Sequence, residues 1–285
     1  MTKPLAVLII HGLGMQKENF AEPFIHSLKD SFKQNNTLEF TQEPLVIKPV
    51  YWAQIFEGRE EELKQKLFHG HDLNFEKLRH FMFHYLADAV AYQPLEVNDH
   101  NYMAVHDTIS TALHELSEEA GYDAPLCVIS HSLGTVIASN YFYDRQNSAQ
   151  WKPKIINADS ALERGDTLSL FYSCGTTLPL WSLRYKDFDK PIQVPSPTFA
   201  SSQPDFAGEW VNFFDNDDIL GYPLRPVHPA YEKVVSEDIQ MNVGDWKSYW
   251  NPLSHNGYFS SQHVIDRIVQ GLTKTWETVN KNGKA

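Results

Sequence analysis

Pro125-Leu-Cys-Val-Ile-Ser-His-Ser-Leu-Gly-Thr-Val-Ile-Ala-Ser-Asn-Tyr141 is the stretch on which the fold turns. Its first five residues are apolar and include two β-branched side chains, as suits a strand buried on both faces of a parallel sheet. A tight turn follows at 130–134, and Leu133, Val136, Ile137, Asn140 and Tyr141 then recur on one side of a helix. Between strand and helix stands Ser132. Small residues two before and two after it, Ser130 and Gly134, let the two elements approach closely, so a sharp turn would hold the serine clear of the backbone at the top of a sheet. The competing reading of Ser132 is a helix N-cap.

Working outward, residues 5–10 form a second continuous apolar run, followed by His11-Gly-Leu-Gly14 and by Phe20, Phe24, Ile25, Leu28 and Phe32 at helical spacing. This is a strand, turn and helix. Leu45–Tyr51 reads as a further strand, with Pro49 placing it at an edge or near its own end. Residues 57–92 have helical periodicity, with Leu63, Leu67 and Phe68 on one face of a first piece and Phe75, Leu78, Met82, Tyr85, Leu86 and Ala89 on a second. We read them as an inserted helical segment, whose aromatics suit either a cap over a pocket or core packing. Beyond Gln93-Pro94 another helix carries Tyr102, Val105, Ile109, Leu113 and Leu116, and Gly121 stops it. Later strands fall at Leu168–Tyr172, at Trp210–Phe214 and around Ile239, Met241 and Val243, with 186–208 as a surface excursion and a closing helix through Val264, Ile265, Ile268, Leu272 and Trp276. Strands separated by helices predict an α/β fold, here one domain over 1–285 with the insertion at 57–92.

Composition excludes several classes. The 285 residues are 42% hydrophobic and 13% aromatic, enough for a sizeable core. The formal charge of −12, from 36 acidic and 24 basic residues without a Lys/Arg stripe, would repel a nucleic-acid backbone. Cys127 and Cys174 both lie in apolar strand segments, which predicts buried, reduced thiols and a cytoplasmic protein. Lys3 followed by Pro4–Ile10 has the outline of a signal peptide, but it runs into His11-Gly12 without a small-residue cleavage pattern. No stretch approaches the ~20 apolar residues of a membrane span.

A serine hydroxyl is a weak nucleophile and needs a base, an orienting acid and donors for the oxyanion formed after attack. The start of the helix after Ser132 offers the Leu133 amide, favoured there by the helix dipole. The glycine-bearing loop after the first strand offers Leu13, with Gly14 as the fallback. For the acid, Asp215, Asp217 and Asp218 follow the strand at 210–214, and Asp218 is favoured because it precedes the apolar pair Ile219-Leu220, where the chain re-enters the fold. His255, in Asn251-Pro-Leu-Ser-His-Asn-Gly-Tyr258, is the candidate base, with His228 its chief rival; His11 and His131 lie too near the turn motifs to swing onto Ser132. His69, His71 and Asp72, and the pair His80 and His84, have ligand-like spacing but lack a matching ligand set, so no metal is expected. Gly12-Leu-Gly14 lacks the third glycine of a dinucleotide site and the lysine of a nucleotide site, so no cofactor is expected either.

These residues resemble the α/β-hydrolase superfamily, and within it the lipase and esterase branch. The likeness rests on His11-Gly-Leu-Gly14, Ser130-His-Ser-Leu-Gly134, Asp218 and His255. It implies a mostly parallel sheet with helices on both faces. Because the histidine-glycine loop follows the first strand here and the third in the family, it also implies a sheet without the two N-terminal edge strands. It further implies a Ser132-His255-Asp218 triad that hydrolyses a small acyl ester. A thioesterase or acyltransferase using the same residues, and a catalytically silent binding protein of the same fold, are the alternatives.

Overall fold

The computed structural model describes residues 2–12, 17–36, 42–94, 101–147, 152–184, 186–204, 206–243 and 252–281. Strand β1 (Leu5–Ile10) leads to helix α1 (Glu22–Asn35) and strand β2 (Leu45–Val50). Helices α2 (Glu57–Phe68), α3 (Glu76–Ala91) and α4 (Asn101–Ala120) precede β3 (Leu126–His131), which turns directly into α5 (Leu133–Gln146). Then come β4 (Leu168–Cys174), α6 (Leu178–Trp181), α7 (Pro197–Ser202), β5 (Glu209–Asp215), α8 (Pro229–Val234), β6 (Glu237–Met241) and α9 (Gln262–Lys281).

The six strands make one sheet in the order β2-β1-β3-β4-β5-β6, and every neighbouring pair is parallel. The period-2 alternation of β1 splits its side chains between two cores. Ala6, Leu8 and Ile10 face the side covered by α4 and α5, while Leu5, Val7 and Ile9 face α1 and α9. Each wholly buried Leu, Ile or Val contributes roughly 1.5–3 kcal/mol relative to exposure. In α9 the apolar face of Val264, Ile265, Ile268, Val269, Leu272 and Trp276 is buried in this way. Pro49, paired with Ile9, lies on the edge strand β2, the position in a sheet where a residue without an N–H is tolerated. The chain leaves β1 in one direction to form β2 and then crosses back to form β3 on the other side. This reversal opens a crevice at the carboxyl ends of β1 and β3, the place where α/β sheets hold their ligands.

Two expectations are altered. Strand β3 runs two residues further than the apolar run, into His131, because the parallel ladder to β4 continues to Cys174. The segment 186–208 is not simply a surface excursion: Ile192, Phe199 and Phe206 are buried, and the Ser196 hydroxyl caps α7 by accepting the Phe199 amide at 3.2 Å. The helical segment 57–92 is two helices, and Leu63, Leu67, Phe75, Leu78, Met82 and Leu86 are all exposed. Core packing therefore does not account for those six, since α4 supplies the apolar layer over β1 and β2. No helix among the described residues is long and apolar enough to cross a membrane.

Candidate active site

Ser132 joins β3 to α5 with φ 53° and ψ −127°, a positive φ that a side-chain-bearing residue adopts only when its surroundings impose it. They do so here. The Ser132 amide donates to the Cys174 carbonyl at 2.9 Å, and its carbonyl accepts the Thr135 amide at 3.0 Å and the Thr135 hydroxyl at 2.7 Å. That hydroxyl also bonds the hydroxyl of Thr176. Gly12 lies against the serine, where a Cβ would come within 2.6 Å of Ser132 Cβ. Ser130 fits in place of a glycine because its buried hydroxyl donates to the Tyr172 carbonyl at 3.2 Å.

Three loops at the same end of the sheet bring the predicted partners together. The Ser132 hydroxyl lies 2.7 Å from His255 Nε2, and His255 Nδ1 lies 2.9 Å from each carboxylate oxygen of Asp218. A carboxylate only accepts, so Nδ1 carries the proton and Nε2 is left to accept from the serine. Asp218 follows β5 and His255 follows β6, two and three strands along the sheet from the Ser132 turn. With Ser132 directly after the third strand, Asp218 after the fifth and His255 after the last, the topology and the order of its loops agree. The chain has the α/β-hydrolase fold.

In this hydrolase fold all three side chains are buried, at 0% exposure for Ser132, 4% for Asp218 and 5% for His255. Burial pushes the Asp218 carboxyl up. The hydrogen bond and charge of His255, the Leu220 amide at 2.9 Å and the Tyr258 hydroxyl at 2.8 Å more than offset it and hold Asp218 below its ordinary value. Two glycines make room for this acid. A Cβ on Gly221 would stand 2.4 Å from Asp218 Oδ2, and one on Gly175, at φ +55°, would stand 2.6 Å from the Tyr258 ring.

The rival candidates are occupied elsewhere. Asp215 is buried and accepts the Asp217 amide at 2.7 Å and the Val243 amide at 2.5 Å, so it ties the end of β5 to the chain beyond β6. Asp217 is exposed. His228 caps α8 by accepting the Ala230 amide at 3.1 Å. His131 does not reach Ser132, but its Nε2–H donates to the His255 carbonyl at 2.7 Å. Burial and then the nearby His255 lower its pKa to about 3. His11 stacks on Trp52 with ring centroids 4.7 Å apart, donates from Nδ1 to the Gly12 carbonyl at 2.6 Å, and is lowered by burial to about 4.

The Leu133 amide stands at the first residue of α5, where it has no partner within the helix. Leu13 and Gly14 lie outside the described residues. His80 stacks on Phe68 and sits 3.7 Å from Glu76, His69, His71 and Asp72 are exposed, and the His84 side chain lies outside the described residues. Among the described residues no group of three or more His, Cys, Asp or Glu is placed to hold a metal ion. Sequence reasoning gave no role to Tyr258, Gly175 or Gly221. The first was visible as the end of the quoted His255 loop, and the glycines carried no local signal of their contact with Asp218.

No protein-family model matches the chain, and no curated protein matches its sequence. Among solved structures it is similar to one described as "LipS and LipT, two metagenome-derived lipolytic enzymes", at 9% identity over 96% of this chain and 95% of the other, with a TM-score of 0.41. It is also similar to acyl-protein thioesterase 2 of Zea mays, at 13% identity over 97% and 95% of the two chains, with a TM-score of 0.42. A third likeness is to an esterase of Rhizomucor miehei, at 11% identity over 98% and 77%, with a TM-score of 0.45.

Proposed function

We propose that this chain is a serine hydrolase that cleaves a carboxylic ester through an acyl-enzyme on Ser132. The observation that carries the reading is the 2.7 Å contact between Ser132 Oγ and His255 Nε2, with Asp218 on the far side of the imidazole. His255 takes the serine proton as Oγ attacks the ester carbonyl, and the Leu133 amide, with Leu13 as its proposed partner, donates to the resulting oxyanion. The intermediate collapses by breaking the bond to the alcohol, which leaves with the proton from His255. Water then attacks the acyl-enzyme with His255 again as base, returning the proton to Ser132. Asp218 keeps the imidazole in the tautomer both steps require.

The exposed apolar residues of α2 and α3 support reading 57–92 as a cap-like insertion within a single domain, and an acyl group as the substrate's apolar part. Two buried free thiols, Cys127 and Cys174, support a cytoplasmic setting. The test is acid quenching during turnover of a p-nitrophenyl ester, followed by mass spectrometry. An acyl adduct on the peptide bearing Ser132 is expected. An adduct elsewhere, or none from folded protein, overturns the reading. A matched ester, thioester and amide series in the same assay then separates an esterase from a thioesterase or acyltransferase.

A further inference from the structure

We propose that Tyr258 is a positioning residue that clamps Asp218 in line with His255, an inference that rests on reading Ser132, His255 and Asp218 as a triad. Each carboxylate oxygen of Asp218 accepts one hydrogen bond besides its contact with His255. Oδ1 takes the Leu220 amide at 2.9 Å, and Oδ2 takes the Tyr258 hydroxyl at 2.8 Å. With both oxygens held, the carboxylate cannot rotate about its own axis, and both stand 2.9 Å from His255 Nδ1.

The direction of the tyrosine bond is fixed by a second contact. The Asp215 amide donates to the Tyr258 oxygen at 3.0 Å, so the hydroxyl hydrogen is committed to Asp218. Burial, and then the neighbouring Asp218 charge, raise the Tyr258 pKa far above its ordinary value, which keeps that hydrogen in place. The geometry leaves no room for another arrangement. Gly175 and Gly221 pack with their missing side chains against the Tyr258 ring and hydroxyl and against Asp218. Tyr258 is itself fully buried, three residues after His255, so the base and the clamp of its acid travel on one short loop.

Removing the hydroxyl has two effects that loss of packing would not have. The carboxylate is freed to turn, which loosens the imidazole against Ser132. It also loses one of the bonds that hold the Asp218 carboxyl below its ordinary value, so the carboxylate takes up a proton at higher pH and the acid side of the rate profile moves to higher pH. The other groups facing His255 are His131 and Ser132 from the end of β3 and Asp218 from the loop after β5. Asp215 flanks Tyr258, and His11 lies behind His131. None of these is altered by Tyr258→Phe.

The experiment measures kcat, KM and the pH profile of ester hydrolysis for wild type, Tyr258→Phe and Ser132→Ala. The expected result for Tyr258→Phe is a kcat lower by about tenfold, an unchanged KM and an acid limb higher by about half a pH unit or more. Unchanged kcat and profile in Tyr258→Phe, alongside activity abolished in Ser132→Ala, overturns the clamp and leaves the triad standing. Activity that survives Ser132→Ala overturns the triad itself, and the clamp with it. If Tyr258→Phe does not fold, proton NMR of the wild type decides the matter. The clamp requires a slowly exchanging Tyr258 hydroxyl proton close in space to His255 Nδ1–H, and absence of that proton overturns it.

Discussion

Gly134 lies against the carbonyl oxygen of His11 so closely that a Cβ at 134 would stand 2.2 Å from it, nearer than any real contact. The first turn of α5 and the loop leaving β1 are thus fitted to each other through a residue with no side chain. We expect Gly134→Ala to destabilise the protein by about 1–3 kcal/mol or more. Displacing Ser132 should also slow its acylation on the order of 100-fold. Ser130→Ala, which loses only the bond to the Tyr172 carbonyl, should cost about 1 kcal/mol and leave acylation near wild type. Urea unfolding and labelling kinetics of the two variants check the contrast.

Stability should rise with pH across the acid range. His131 and His11 are lowered by burial to about 3 and about 4 in the folded chain, against 6.5 when unfolded. Between these values the unfolded state binds more protons, so their contribution is complete above pH 6.5 and is lost as pH falls toward 3. Each contributes a slope of about 1.4 kcal/mol per pH unit inside its window. Asp144, raised to about 6 by burial, acts in the opposite sense between its unfolded and folded values, one proton against two. The unfolding midpoint should therefore fall between pH 7 and pH 4, and His131→Gln, which keeps a donor without a titrating ring, should flatten that fall. A midpoint independent of pH over this range would contradict the burial of both histidines.

Asp218→Asn should reduce activity far more than Asp217→Asn. The Asp218 side chain touches His255, Leu220 and Tyr258, whereas Asp217 is exposed and contributes a backbone amide to the Asp215 carboxylate. An amide at 218 can present a donor to Nδ1 and stabilise the wrong tautomer, a loss on the order of 1,000-fold or more, while Asp217→Asn should stay within about twofold. Steady-state kcat/KM on one ester measures both, and a larger loss at 217 would reassign the acid.

Leu78 and Leu86 lie on α3 at 59% and 51% exposure. Leu78→Gln and Leu86→Gln should therefore leave thermal stability within about 0.5 kcal/mol, whereas Leu113→Gln, fully buried under the sheet, should lose several. If the α3 leucines line the approach for an acyl chain, the same substitutions should raise KM for long-chain esters more than for acetate esters.

The apolar runs of β1 and β3 were legible because a strand buried on both faces favours apolar side chains; β1 is apolar throughout and β3 is apolar from Leu126 to Ile129, ahead of the buried Ser130 and His131. Ser132 was legible because the turn demands small neighbours in a fixed pattern. Asp218 and His255 could be ranked by their place after strands, yet their meeting depends on a parallel register 37 residues apart in the chain, which no local pattern encodes. Whether the aromatic and apolar residues of the 57–92 segment pack in the core or face outward was not legible, for a physical reason. Helical spacing of apolar residues reports one face of a helix but not whether anything covers it, and the five exposed side chains in α2 and α3, with Phe75 at the N-cap of α3, are not covered by the core. The Tyr258 clamp was hidden because its value lies in two hydrogen bonds made across the site.

Reaction of the purified protein with a fluorophosphonate probe, in wild type and in Ser132→Ala, tests the central claim most directly. Ser132, with its hydroxyl 2.7 Å from His255 Nε2, should be labelled stoichiometrically in the wild type, and labelling should vanish in the folded Ser132→Ala variant. Labelling that persists in Ser132→Ala, or a folded wild type that never reacts, would contradict the account.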